Sequence, residues 1–354
     1  MEENNRRCNG VTIFIRLWKK VSKMDFSVIL FLSLAIVLFG TVSIHYLEPE
    51  NFPTLFEGFW WTMTTLTTVG YGDYYPTTVP GRLLGVFLFI FGIGIIGLLI
   101  SKIMDVLATY NTLKREGKLL FKNKEHFIYI GWSSRTERAI KEVLAHKGDK
   151  RIVLIEQLDN DPFTHDQVHF ISGDASDEEV LMRANILEAD RVAIFSDLSI
   201  SKPVLADGKS LLIASAVEAL AKKNNANIHS VVEVMEEKNI PLFNHIDVDD
   251  FILSNDSVSL LMAKATLQPG TTGLFRQLLS KKFGKNIHEL LPLKDWHTYK
   301  DASHALFESG AVLIAVNEDM DFSNAAEKKL GKEDVLYIIC DDRVYQTLYA
   351  GASI

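Results

Sequence analysis

The sequence predicts a two-helix transmembrane hairpin with a re-entrant helix between its spans, an all-α module, followed by an α/β domain and a small α+β lobe. Three observations predict it. Phe26 to Ile44 and Leu83 to Ser101 are uncharged runs, each close to the length that crosses a hydrocarbon core. Between them stands Thr67-Thr68-Val69-Gly70-Tyr71-Gly72-Asp73. Beyond Glu125, short apolar runs alternate with amphipathic stretches, the pattern of strands and helices wound around a parallel sheet.

The segment 1–25 carries Ile13, Phe14, Leu17 and Trp18 beside Arg16, Lys19 and Lys20. This reads as a cytoplasmic amphipathic helix lying on membrane lipid, a passive anchor rather than a collar on a gate. A signal peptide is disfavoured, because the basic region is too long and no small-residue cleavage site follows. Residues 26–108 form the membrane module, with helices at 26–46 and 83–103. Six basic residues precede the first span and six follow the second, whereas the connection holds Arg82 as its one basic residue. The positive-inside rule therefore predicts a multi-pass cell-membrane protein with both termini cytoplasmic. A re-entrant helix is expected over 54–67, its C-terminal end turning partial negative charge toward an axis that suits a cation. Trp60 and Trp61 serve either as braces behind residues 68–72 or as interfacial anchors.

The chemistry of residues 68–72 follows from the backbone. Replacing the hydration shell of an ion takes stacked rings of oxygens, and a strand turns successive carbonyls to one side only if its residues alternate in handedness. Gly70 and Gly72 supply positive φ at little steric cost. Val69 and Tyr71 turn away from the axis, and the Thr68 hydroxyl adds an oxygen at the inner end. One strand cannot surround an ion, and the chain carries the run once, so a homotetramer passing K⁺ is expected. No span carries a regular arginine series, which removes voltage sensing.

Opening must then be controlled from the rest of the chain. Residues through Lys124 hold 13 basic and 9 acidic side chains, whereas the remainder holds 24 and 36, a net −12. That balance argues against nucleic-acid binding and is compatible with a divalent cation. Cys8 and Cys340 are the two cysteines, so neither a disulfide nor a cysteine metal site is expected. After a linker at 109–124, strands are predicted within 127–130, 151–155, 168–172, 191–195, 230–234 and 251–253, with helices within 136–144, 177–184 and 208–221. The first turn, Gly131-Trp132-Ser133-Ser134-Arg135-Thr136, keeps the first glycine of a dinucleotide fingerprint and loses the second, hindering approach of a pyrophosphate. Glu156 ends the second strand where an acidic residue usually meets a ribose, so Gly131 and Glu156 mark a candidate nucleotide site. From Pro269-Gly270 onward the pattern changes, with a helix near 274–283 and strands near 312–316 and 335–339.

Residues 26–108 resemble the pore of prokaryotic potassium channels. Gly131-Trp132-Ser133, Ser172-Gly173-Asp174-Ala175-Ser176-Asp177 and Arg183-Ala184-Asn185 resemble the RCK domain, a Rossmann-like regulator of potassium conductance, over 125–267. Residues 268–354 resemble its C-terminal subdomain more weakly. Together they are similar to the two-transmembrane potassium channels with a C-terminal RCK domain, the archaeal calcium-gated type and, more closely, the Bacillus type. The resemblance implies that Trp60 hydrogen-bonds Asp73 behind the filter and that Gly92 is a gating hinge. Glycine at 85, 92, 94 and 97 serves close packing equally well. It also implies a cytoplasmic gating ring of RCK domains, to which a separate RCK subunit started at Met104 would contribute. A family glutamate is replaced here by Thr64. For calcium, Asp197 and Glu233 fit family ligand positions, Met235 stands at a third, and Glu236 is its neighbour. A thioether does not replace a hard oxygen ligand. The rival readings are a nonselective cation channel and a membrane-tethered nucleotide-binding oxidoreductase. Against the second, no catalytic constellation is evident, and an enzyme is not expected.

Overall fold

The computed structural model describes residues 25–146, 148–293, 295–321 and 328–352. The amphipathic segment expected before residue 25 lies outside them. The chain divides into two compact units, Met1–Leu113 and Lys114–Ile354.

In the first unit, helix α1 (Phe26–Leu47) packs along α2 (Leu55–Leu66). A capping box starts α2: the Thr54 amide donates to Glu57 Oε2 at 2.7 Å, meeting one of the donors a helix start leaves open. Helix α3 (Val79–Arg115) begins with Thr78, whose hydroxyl accepts from the Gly81 amide at 3.2 Å, and with Pro80 in its first turn. It widens into a π turn over Leu88–Gly92 and resumes as α-helix over Ile93–Arg115. This helix outruns the expected 83–103 because no glycine or proline interrupts residues 98–116; Gly117, at φ +62°, ends the run. The first half of the expected linker is therefore helix. Ile36, Ile44, Phe52, Trp61, Leu66 and Leu88 form the core of this unit.

In the second unit, β1 (His126–Ile130), β2 (Ile152–Glu156), β3 (Val168–Ser172), β4 (Ala189–Ile194), β5 (His229–Val234) and β6 (Asp250–Leu253) make one sheet. Its order is β3-β2-β1-β4-β5-β6, and every pair is parallel. Each of the six runs predicted as strands between residues 127 and 253 overlaps one of these. The crossovers carry α4 (Ser134–His146), α5 (Glu178–Arg183) and α6 (Pro203–Asn224). Strand β1 is buried along its whole length, as a central strand covered on both faces must be. The strand order reverses beside it, and ligands of open α/β sheets bind at the carboxyl ends of strands at such a point.

The segment before β1 is bonded to this sheet. Asp161 N donates to Arg115 O at 2.7 Å, Ser172 N to Gly117 O at 3.1 Å and Phe121 N to Arg183 O at 2.9 Å. Gly117 lies against the backbone of Ser172, so any side chain there would collide with it.

After α7 (Ser254–Leu267) and α8 (Thr271–Leu279), β7 (Asn286–Leu290), β8 (Val312–Val316) and β9 (Leu336–Cys340) form an antiparallel sheet in the order β7-β9-β8. Helices α9 (Tyr299–Glu308) and α10 (Asp342–Ala352) complete the lobe. Leu290, Trp296, Leu306, Leu313, Leu336 and Ile338 build its core, separate from that of the parallel sheet.

Candidate functional site

The loop after α2 has the alternation that an ion-lining strand requires. Thr68, Gly70 and Gly72 have φ of 59°, 55° and 76°, separated by two residues without positive φ. The motif predicts this of the glycines. It does not predict it of Thr68, since a β-branched residue in the left-handed region is strained. The Val69 and Gly70 amides donate to Thr64 O at 2.9 and 3.2 Å, and Thr68 N to Thr65 O at 3.1 Å, so the end of α2 holds the strand. Behind it, Trp60 Nε1 donates to Asp73 Oδ2 at 2.8 Å while the indole stacks on Tyr71, ring centroids 5.8 Å apart. The Thr64 hydroxyl turns back to Trp61 O at 3.1 Å. Residues 67–73 are exposed in the single chain.

Sequence reasoning missed a buried carboxylate beside this loop. Glu48, the residue after α1, is 3% exposed. It accepts from the Thr77 and Thr78 amides at 2.9 and 2.8 Å, the Thr78 hydroxyl at 2.6 Å and Asn51 Nδ2 at 2.8 Å. Burial by itself would raise its pKa, but these donors outweigh burial and bring it down to about 2. One carboxylate thereby joins the end of α1 to the start of α3. Gly92 closes the π turn and faces Leu66 of α2 so closely that a Cβ there would overlap the leucine Cδ2.

At the carboxyl ends of the parallel strands, a cleft is lined by Gly131, Trp132, Glu156, Asp174, Asp197 and Lys209, among others. Glu156 accepts from the Trp132 and Gln157 amides at 2.7 and 2.8 Å. Ser133, standing where the fingerprint has its second glycine, accepts through Oγ from the Arg135 and Thr136 amides at 3.2 and 3.3 Å. The serine thus caps α4 with its own oxygen at the place where a phosphate would meet free N–H groups. The room left in the cleft is about 50 Å³, space for one or two waters.

The carboxylates proposed for a cation are each engaged within the domain. Asp197 accepts from Lys209 at 2.8 Å and from the Ser199 hydroxyl at 2.6 Å, and these bonds hold its pKa at about 2. Burial opposes the charge of Lys209, but its bond to Asp197 keeps its pKa above the ordinary value. Glu233 pairs with Arg135 and accepts from Ser196 N at 2.9 Å. Glu236 pairs with Lys238 at 2.6 Å. Among the described residues, no three His, Cys, Asp or Glu side chains converge as a metal site would need.

The family described as "Ion channel" matches residues 29–109, and "Calcium-activated potassium channel slowpoke-like RCK domain" matches residues 122–243. The protein named "Putative potassium channel protein YugO" of Bacillus subtilis (strain 168) is 33% identical over 64% of this chain and 67% of its own length. The "Calcium-gated potassium channel TvoK" of Thermoplasma volcanium is 26% identical over 93% of this chain and 95% of its own. A solved structure of the GsuK channel bound to NAD matches 91% of this chain and 58% of that one, at 16% identity and a TM-score of 0.43. A strand of alternating handedness between two long apolar helices, a parallel α/β sheet later in the chain, and these relatives lead to one conclusion: the chain belongs to the prokaryotic potassium channels in which a two-helix pore module is followed by an RCK domain.

Proposed function

We propose that the chain is one subunit of a homotetrameric, potassium-selective channel with both termini cytoplasmic, opened by a ligand of its RCK domains. The observation that carries the reading is the positive φ at Thr68, Gly70 and Gly72, which turns the carbonyls of residues 68–72 to one side while the strand stays uncovered in a single copy. Three further copies supply the missing oxygens and cover the exposed flanks. Trp60 and Asp73 support the strand from behind.

The regulatory ligand belongs at the cleft between β1, β2 and β4. An adenine nucleotide is the reading that Gly131, Glu156 and Lys209 favour: the carboxylate accepts from a ribose and the ammonium, released from Asp197, faces a phosphate. Its entry requires Trp132, now packed on Phe163 at 5.9 Å, to swing out. A divalent cation is the second reading, supported by the name of TvoK as calcium-gated and by the acidic strand ends at Asp197, Glu233 and Glu236. Further RCK copies, from neighbouring chains or as separate subunits, complete a gating ring.

The test is single-channel recording in a lipid bilayer, with ATP, ADP, NAD, calcium, magnesium and protons applied in turn to the RCK side. A nucleotide is expected to change open probability at least several-fold in the native chain and not in Glu156→Ala. Indifference to all six would remove the RCK domain as the sensor.

A further inference from the structure

The acidic edge at the ends of β4 and β5 carries its own cations, and one of them is held against a buried carboxylate. Glu233, the penultimate residue of β5, is 7% exposed. An ionised carboxylate so placed requires a partner, because the cost of desolvation is otherwise uncompensated. Its two oxygens are taken from different directions. Arg135, in the first turn of α4, donates through Nη1 to Oε1, and the Ser196 amide beyond β4 donates to Oε2 at 2.9 Å. Three separate βα units therefore meet on one carboxylate.

Arg135 is committed to this contact. Its Nε and Nη2 are buried with no hydrogen-bond partner among the described residues, so the guanidinium has given up hydration on two nitrogens while Glu233 accepts from the third. Such a position is held only if the attraction of a buried opposite charge offsets the loss. The neighbouring acids offer no alternative cation cage. Asp197 is taken by Lys209, Glu236 by Lys238, and Asp207 accepts from Met235 N, Glu236 N and Asn239 Nδ2 at 2.7, 3.3 and 2.6 Å. A hard divalent ion takes six to eight oxygens. To gather them here it must displace a guanidinium from a carboxylate closed off from solvent.

We propose that Arg135 is a tethered counter-ion for Glu233 and that the pair makes this edge of the native RCK domain refractory to divalent cations. The inference rests on the RCK domain being the channel's ligand sensor, and it narrows that sensor's ligand away from calcium at these carboxylates. The Lys209 and Lys238 pairs do not share the role, because the carboxylates they meet are more open to solvent than Glu233.

The experiment uses the full-length channel, purified and assembled, with two readouts: thermal unfolding with and without millimolar calcium or magnesium, and open probability in bilayers under the same ions. Native chain and Arg135→Lys are expected to show no ion-dependent shift. Without added ion, Arg135→Gln is expected to lower the Tm by several degrees by leaving a buried carboxylate unpaired, and Arg135→Gln/Glu233→Gln to recover most of that loss. A calcium response of the native chain that Glu233→Gln abolishes would overturn the proposal, and that comparison stands even if Arg135→Gln fails to assemble. An assembled Arg135→Gln with the native Tm would overturn it too. If nucleotides leave the native channel unmoved while Arg135→Gln loses stability that the double variant recovers, the sensor reading fails and the counter-ion remains.

Discussion

Glu48 shows how much one residue carries that its neighbours in sequence do not announce. In the sequence it is one of four acids between the spans; in the structure it holds two backbone amides and two hydroxyls 29 and 30 residues away. Hydrophobic runs reveal spans, but no local pattern reveals a carboxylate that caps a distant helix start. Its pKa of about 2 lies below the ordinary 4.5, so the stability it contributes is present above about pH 4.5 and is lost as pH falls toward 2. Glu48→Gln keeps the shape, removes the charge and replaces one acceptor oxygen by a donor facing donors. It is expected to destabilise the pore unit by about 1–3 kcal/mol at neutral pH, measured as a lower Tm of the assembled channel, and to flatten the acid limb of the stability profile. An unchanged Tm and acid limb would show that the clamp contributes nothing. The Trp60–Asp73 bond is the one the family resemblance implies, and the positive φ of Gly70 and Gly72 is legible from the motif. Thr68 is not, because its positive φ comes from the bonds that tie the strand to Thr64 and Thr65 rather than from its own preference.

At the scale of elements, α3 changes the meaning of Gly92. A hinge and a packing site both call for glycine, and the sequence leaves them equal. In the structure Gly92 ends a π turn and sits against Leu66, the last residue of α2, to which the strand at 68–70 is bonded. A π turn is a wound-in extra residue, often found where a helix serves function, and here it coincides with the place where α3 touches α2. Gly92→Ala is therefore expected to impair opening by collision with Leu66, and Leu66→Ala/Gly92→Ala to recover most of the open probability. Failure of the double variant to recover, with the channel still assembled, would favour bending at Gly92 over packing. The expected linker is likewise half helix and half a segment bonded to β3 and α5. Helix ends are set by where a breaker finally occurs, and Gly117 lies well beyond Ser101, where the apolar run that marks the span stops.

At the scale of the whole molecule, the two units are legible for different reasons. Membrane spans are read from length and lack of charge, and the six strands of the parallel sheet from apolar runs buried on both faces. The antiparallel lobe is legible only in β8 and β9. Strand β7, Asn286–Leu290, mixes polar and apolar residues because parts of it face solvent, and its pairing with β9, remote in sequence, leaves no local trace. The cleft is partly legible in the same way: Gly131 and Glu156 both line it, but the serine cap on α4 and the Arg135–Glu233 pair are products of folding. The pore is thus better specified than the signal that opens it, and the central claim concerns the pore. The most direct measurement is the reversal potential of the purified, reconstituted channel with potassium on one side of the bilayer and sodium on the other. The account predicts a reversal displaced strongly toward the potassium equilibrium potential; a reversal near zero would contradict it.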